Sequence, residues 1–247
     1  GSYGPKLYTV SGHVNKPCCV ELPLGVTVRE LVDKYGGGVW KGRKAKGCIP
    51  GGISMGIMTE KEFDTLLDFN GPGKFGCLGL GTAAVTIIDD SVEMVNFLHN
   101  TCQFFAHESC GQCTPCREGT AWAFRLMQRI VAGQGRIKDL DLILEIGDTI
   151  GIIPGTTICG LADGAAWPMK NSIRKFRDEF EEYIRRTNPT GYQETSAVPA
   201  ITAARDSADS IGNAHIQGEK NTPVPTAMLS SSCHTLCFMV PSSSRGL

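Results

Sequence analysis

Apolar positions follow two different rhythms along the chain. Through the first ninety residues they come in short runs. Leu7-Tyr-Thr-Val10 and Cys18-Cys-Val-Glu-Leu22 are β-branched or aromatic stretches parted by Gly and Pro, the pattern of hairpin strands. Residues 27–35 then switch to a helical period, with Val28, Leu31, Val32 and Tyr35 as the apolar stripe. Thr27 is the expected N-cap, Glu30 completes a capping box three residues on, and Gly36, Gly37 and Gly38 stop the helix. Cys48-Ile49 and residues 83–88 read as later strands.

From Asp90 the helical period takes over. A helix capped by Asp90 with Glu93 is expected to run to about His107, with Val95, Leu98, Cys102 and Phe105 along one face. A second starts near Thr114 and buries Ala123, Met127, Ile130 and Val131 before Gly133. A third covers about 138–150 through Leu140, Ile143, Leu144 and Ile146. A loop over 151–157 leads to a last helix, about 168–186, whose buried face is Ile173, Phe176, Phe180 and Ile184. Arg174, Lys175, Arg177, Asp178 and Glu181 mark its solvated side, and Trp167 is expected as a core anchor.

Beyond residue 187 the rhythm stops. Ser, Thr, Pro and Gly crowd this segment, and its only aromatic residues are Tyr192 and Phe238, so it cannot bury enough apolar surface to fold alone. The expected organisation is a β-rich domain over 1–89, a helical domain over 90–187 and a disordered tail over 188–247, an α+β chain.

Composition narrows the function. A net charge of −1 gives no electrostatic case for nucleic acid, and 41% hydrophobic residues suffice for a core. No apolar stretch approaches the length of a membrane span, so direct membrane insertion is not expected. No secretory leader opens the chain. Eleven cysteines, an odd and irregular set, point to free thiols in a reducing compartment rather than a disulfide framework.

The chemistry lies in Glu108-Ser-Cys-Gly-Gln-Cys-Thr-Pro-Cys-Arg-Glu-Gly119. Cys110, Cys113 and Cys116 recur every three residues, and Cys159 is a fourth candidate downstream. A 4Fe–4S cluster needs four converging thiolates; the tight triplet supplies three and the remote cysteine closes the cage. Thr114 as N-cap and Pro115 in the first turn would place Cys116 at a helix N-terminus, which favours negative charge, with Arg117 as a neighbouring cation. Structural zinc is the competing reading, although it usually takes two separated Cys pairs or histidines.

Other signals carry less. Gly79-Leu-Gly-Thr-Ala-Ala84 mimics a dinucleotide fingerprint but precedes a strand instead of a helix. The loop from Gly71 to Gly76 lacks the Ser or Thr of a P-loop. Cys18 and Cys19 face opposite sides of a strand, Cys48 and Cys77 read as buried thiols, and His13 as structural. Cys233-His234 with Cys237, among serines, is a weak metal motif.

The cysteine motif, with Thr157-Ile-Cys-Gly-Leu-Ala-Asp-Gly-Ala-Ala-Trp-Pro168 around the fourth cysteine, closely resembles the NADH- and FMN-binding flavoprotein subunit (the F subunit) of respiratory complex I, the NADH:quinone oxidoreductase. The stretch from Gly4 to Pro17 and Ile49-Pro-Gly-Gly52 match that family as well. The resemblance implies that Cys110, Cys113, Cys116 and Cys159 hold a 4Fe–4S cluster that takes electrons from FMN. It also implies that the first domain is a β-grasp of the soluble-ligand-binding type, consistent with its order of strands and helix. The family's Gly-rich FMN- and NADH-binding loop does not occur in this sequence, so the expectation is a C-terminal portion without its own flavin, NADH site or catalytic residues. Partners would be the other peripheral-arm subunits, one with a 2Fe–2S cluster and one with several clusters. The place implied is the cytoplasmic side of an inner membrane, or the mitochondrial matrix side, peripheral to the bilayer. Equivalent subunits of NAD-reducing hydrogenases and NAD-dependent formate dehydrogenases share these motifs. A zinc-stabilised interaction module is the reading from a different class.

Overall fold

The computed structural model describes residues 3–151 and 155–193. A five-stranded sheet comes first. Strand β1 (Pro5–Gly12) pairs antiparallel with β2 (Cys18–Pro23), as the two apolar runs anticipated. The chain then crosses through α1, where Val28–Glu30 continues into a wider π-type turn, Leu31–Tyr35. Thr27 caps it by accepting the Glu30 N–H at 3.0 Å. The reverse half of the expected capping box is not made, because Glu30 binds Lys34 instead. Strands β3 (Ala45–Ile49), β4 (Met58–Thr59) and β5 (Ala84–Asp89) complete the order β2-β1-β5-β3-β4. Only the central β1–β5 pair is parallel; the other three pairs are antiparallel.

Alternation along β5 joins the two halves of the fold. Ile87 packs with Tyr8, Val10, Val28 and Leu31 in the core beneath α1. Its neighbour Ile88 turns to the opposite face and packs with Ile49, Met94 and Leu98 in the helical core. A strand covered on both faces tends to a continuous apolar run, and Val85-Thr-Ile-Ile88 is one apart from Thr86.

The helices are α2 (Met94–Glu108), α3 (Thr114–Arg129, prolonged by a π-type turn over Ile130–Gln134), α4 (Ile137–Thr149), α5 (Leu161–Lys175), α6 (Arg177–Thr187) and α7 (Pro189–Gln193). The expected stripes are inside: Val95, Leu98, Cys102 and Phe105 on α2, and Ala123, Met127 and Ile130 on the second helix. Helix α5 is walled in along most of its length. Ala162, Gly164, Ala165 and Ala166 keep it slim enough to be enclosed. Its Asn171 ties it to the sheet portion, accepting the Ile57 N–H at 3.0 Å and donating to the Gly76 carbonyl at 2.9 Å. Lys175 with Glu62 at 2.8 Å and Lys46 with Glu179 at 2.7 Å add two ion pairs between the same regions.

Four expectations need correction. The last helix is two helices, broken at Phe176 (φ −123°, ψ 28°), and α5 starts well before Pro168, which sits in its interior. Asp90 does not cap α2; Glu93 occupies the N-cap position, and the Glu179 carboxylate of α6 accepts the Met94 N–H at 2.7 Å. Trp167 is half-buried beneath the Lys170 ammonium, at 5.3 Å, and is not a core anchor. Finally, the segment expected as a tail begins with α7. The remainder of that segment, including Cys233, His234 and Cys237, lies outside the described residues.

Candidate metal centre

The site forms where three segments meet: the end of α2, the start of α3 and the approach to α5. Ser109 closes α2, donating its N–H to the Phe105 carbonyl at 3.1 Å. Gly111, at φ +78°, reverses the chain in a conformation that only glycine adopts without strain. Helix α3 then begins one residue earlier than Thr114 as cap would require. Cys113 holds the N-cap position (φ −91°, ψ 123°), and its carbonyl accepts the first helical bond, from the Arg117 N–H at 2.9 Å. Pro115 falls in the first turn, where its missing N–H costs nothing. The triplet spacing thus splits into two parts: Cys110 in the turn, and Cys113 and Cys116 on successive positions of one helical face.

Cys159 arrives from the other side. Gly119 on α3 allows this approach, since a Cβ there would lie 2.1 Å from Cγ2 of Ile150, the residue that caps α4. Close contact between α3 and the end of α4 sets where the chain departs toward Thr157, Cys159 and Gly160, the N-cap of α5. The Ile158 N–H donates to Cys113 Sγ at 3.2 Å, joining the two cysteine segments directly. Thr157 Oγ1 donates to the Cys159 carbonyl at 3.2 Å and shapes the final turn.

All four expected cysteines line one cavity of about 100 Å³, together with Glu108, Ser109, Thr157 and Leu161. Cys116 is buried, Cys113 half-buried, and Cys110 and Cys159 face solvent. Among the described residues, no three His, Cys, Asp or Glu side chains converge tightly enough to hold a single metal ion. The sulfurs therefore ring a space instead of meeting at a point. Four thiols around one small cavity, one at the N-cap and one in the first turn of a helix whose dipole favours negative charge, are the donor set that an iron–sulfur cluster takes. The residues present fit such a group.

The remaining candidates are elsewhere. Burial pushes the Cys102 thiol up to about 12 and Cys77 up to about 11, and raises Cys48 well above the ordinary thiol range. Such thiols stay protonated and pack as small apolar groups. Cys18 donates to the Tyr35 carbonyl at 3.6 Å, while Cys19 is exposed. His13 accepts the Asp89 N–H at 3.3 Å in a structural contact. Residues 79–84 lead into β5 with no helix behind them.

Two features escaped the sequence reading. Ser109 Oγ lies 3.3 Å from Cys116 Sγ, signalled only by a serine directly before the motif. Arg117, expected as a cation for the site, instead donates from Nη1 to the Gly111 carbonyl and from Nε to Glu118, both at 2.8 Å. It clamps the turn, and its charge is partly met by its neighbour.

Comparison with known proteins covers the same segments. Residues 96–183 match the NADH-ubiquinone oxidoreductase-F iron–sulfur binding region, and residues 7–57 match the SLBB domain. The chain is 42% identical over 185 residues to the NADH-quinone oxidoreductase F subunit of Rickettsia typhi, a match covering 74% of this chain and 42% of that protein. It is 44% identical over 183 residues to the NADH-quinone oxidoreductase F subunit of Mycobacterium tuberculosis, a match covering 74% of this chain and 40% of the relative. It therefore spans about two fifths of the length of these curated relatives. Among solved structures, the NAD+-reducing [NiFe]-hydrogenase in its H2-reduced state superposes with a TM-score of 0.64 at 26% identity, over 89% of this chain and 34% of that one.

Proposed function

We propose that this chain, which belongs to the F-subunit family of NADH-quinone oxidoreductases, acts as an electron relay, with Cys110, Cys113, Cys116 and Cys159 as the thiolate ligands of a 4Fe–4S cluster. The observation that carries the reading is that these four cysteines, from two segments far apart in sequence, line one cavity. When bound, such a cluster supplies a one-electron donor and acceptor. The chain's own residues hold and tune it. The first turn of α3 stabilises the negative charge of Cys113 and Cys116, and the Ile158 N–H meets the Cys113 sulfur. Exposed Cys110 and Cys159 leave one side of the site open for electron exchange with a docked partner.

Within this reading, residues 1–89 are a β-grasp domain of the SLBB type and residues 90–187 are the cluster-bearing helical domain. The sheet order with a parallel central pair, and a helix crossing from β2 to β3, support the first assignment. FMN and NADH would be held by another part of the assembly. Partners are peripheral-arm subunits carrying further clusters, and the place is peripheral to a membrane; no helix among the described residues is long and apolar enough to cross one. The hydrogenase likeness supports a second reading, the equivalent subunit of an NAD-reducing hydrogenase, with the same role for the four cysteines.

The test is anaerobic purification, reconstitution with iron and sulfide, and EPR after dithionite. About four irons per chain and a reduced-cluster signal are expected. Tightly bound zinc with no iron uptake would sink the relay and leave a structural module.

A further inference from the structure

We infer that Ser109 sets the reduction potential of this site by donating its hydroxyl proton to the Cys116 sulfur. The inference rests on the proposed cluster and goes beyond it, because it assigns a tuning role to a side chain that is not a ligand.

Ligation of the sulfur fixes the direction of the bond. Ser109 Oγ and Cys116 Sγ are 3.3 Å apart, and for two neutral groups either could donate. A thiol bound to iron has lost its proton and can only accept. On its other side, the Ser109 oxygen already accepts the Gly111 N–H at 3.4 Å. That bond uses a lone pair and leaves the hydroxyl hydrogen free. The hydrogen therefore points to Cys116 once the sulfur is a thiolate. The hydroxyl is held for this task. Ser109 is the C-cap of α2, its backbone N–H tied to Phe105, and it is half-buried on the cavity wall. Cys116 is the most buried of the four, so its negative charge has the least help from water.

A donor placed this way matters more after reduction than before it. Adding one electron, with no proton taken up and no bond broken, increases the negative charge shared by the sulfurs. A hydrogen bond to one of them then strengthens, which stabilises the reduced state and raises the potential. The Ile158 N–H does the same for Cys113, but it is a backbone group that only a proline, with its added constraint on the chain, would remove. Ser109 is the contact that substitution can switch off.

The test compares the full chain with Ser109→Ala, Ser109→Val and Ser109→Thr, each reconstituted anaerobically and titrated by EPR against mediators. Thr keeps the hydroxyl and Val keeps the shape of Thr without it. Wild type and Ser109→Thr should titrate together. Ala and Val should titrate at lower potential, with the equilibrium constant for reduction falling up to tenfold, which for one electron is about 59 mV. Equal potentials in all four chains would overturn the assignment while leaving the relay reading intact. Loss of iron from both Ala and Val, with retention by Thr, would make the hydroxyl an assembly contact and likewise overturn it. If the wild-type chain binds no iron, the relay reading itself fails, and that outcome is distinct from either of these.

Discussion

Two groups of cysteines occupy this fold, and they differ in what surrounds them. Cys110, Cys113, Cys116 and Cys159 stand on a cavity wall among hydroxyls, backbone N–H groups and the start of a helix. Cys48, Cys77 and Cys102 lie in the cores, where burial holds the proton on sulfur. The side chain is the same. Whether it serves as a ligand or as a small apolar packing group is decided by access to solvent and by groups that welcome negative charge.

The largest expected contrast is in metal content. Cys159→Ala removes the proposed ligand that would link the two segments, and iron per reconstituted chain should fall well below about four. Cys48→Ala, deep in the sheet core, should leave it unchanged. Iron and sulfide assays on the two variants decide the matter, and equal losses from both would erase the distinction between the groups.

A second contrast is in alkali. With its folded-state value raised from 9.0 to about 12, Cys102 keeps its proton when the unfolded chain has released it. Its stabilising contribution is complete below about pH 9 and is lost as pH rises toward 12, by about 1.4 kcal/mol per pH unit between those limits. Urea unfolding of the iron-free chain between pH 9 and 11 should fall more steeply for wild type than for Cys102→Ala. Parallel curves would mean the thiol is less enclosed than its position implies.

The smallest effect belongs to the clamp beside the site. Arg117→Ala deletes the bond to the Gly111 carbonyl, made by a side chain 48% exposed. It should cost under about 1 kcal/mol in urea unfolding and leave iron content unaltered. A large loss of iron would show that the turn holding Cys110 depends on this arginine.

Much of this arrangement was legible from residue order, and the gaps have physical causes. The triplet and Cys159 could be picked out because thiols at that spacing have few other uses. Strands and the α2 stripe were visible because Leu7 to Val10 and Val95 to Phe105 keep clean periods. The break at Phe176 was hidden because Ile173, Phe176, Phe180 and Ile184 hold a helical period straight across it, and backbone angles at one residue leave no mark on that pattern. Pro168 misled in the opposite way, since a proline suits a helix start and here sits inside one. Glu179 capping α2 across the fold, and Ser109 reaching Cys116, are contacts between residues whose meeting depends on tertiary packing.

Cys113 as the point where turn becomes helix gives the motif's arithmetic two unequal halves. Between Cys113 and Cys116 the backbone is regular, so one added residue would swing the second sulfur by about 100° around the helix axis and away from the cavity. Between Cys110 and Cys113 the chain is an irregular turn through Gly111, with no fixed rotation per residue. The same count of three is a rigid gear ratio on one side of Cys113 and only a tether length on the other.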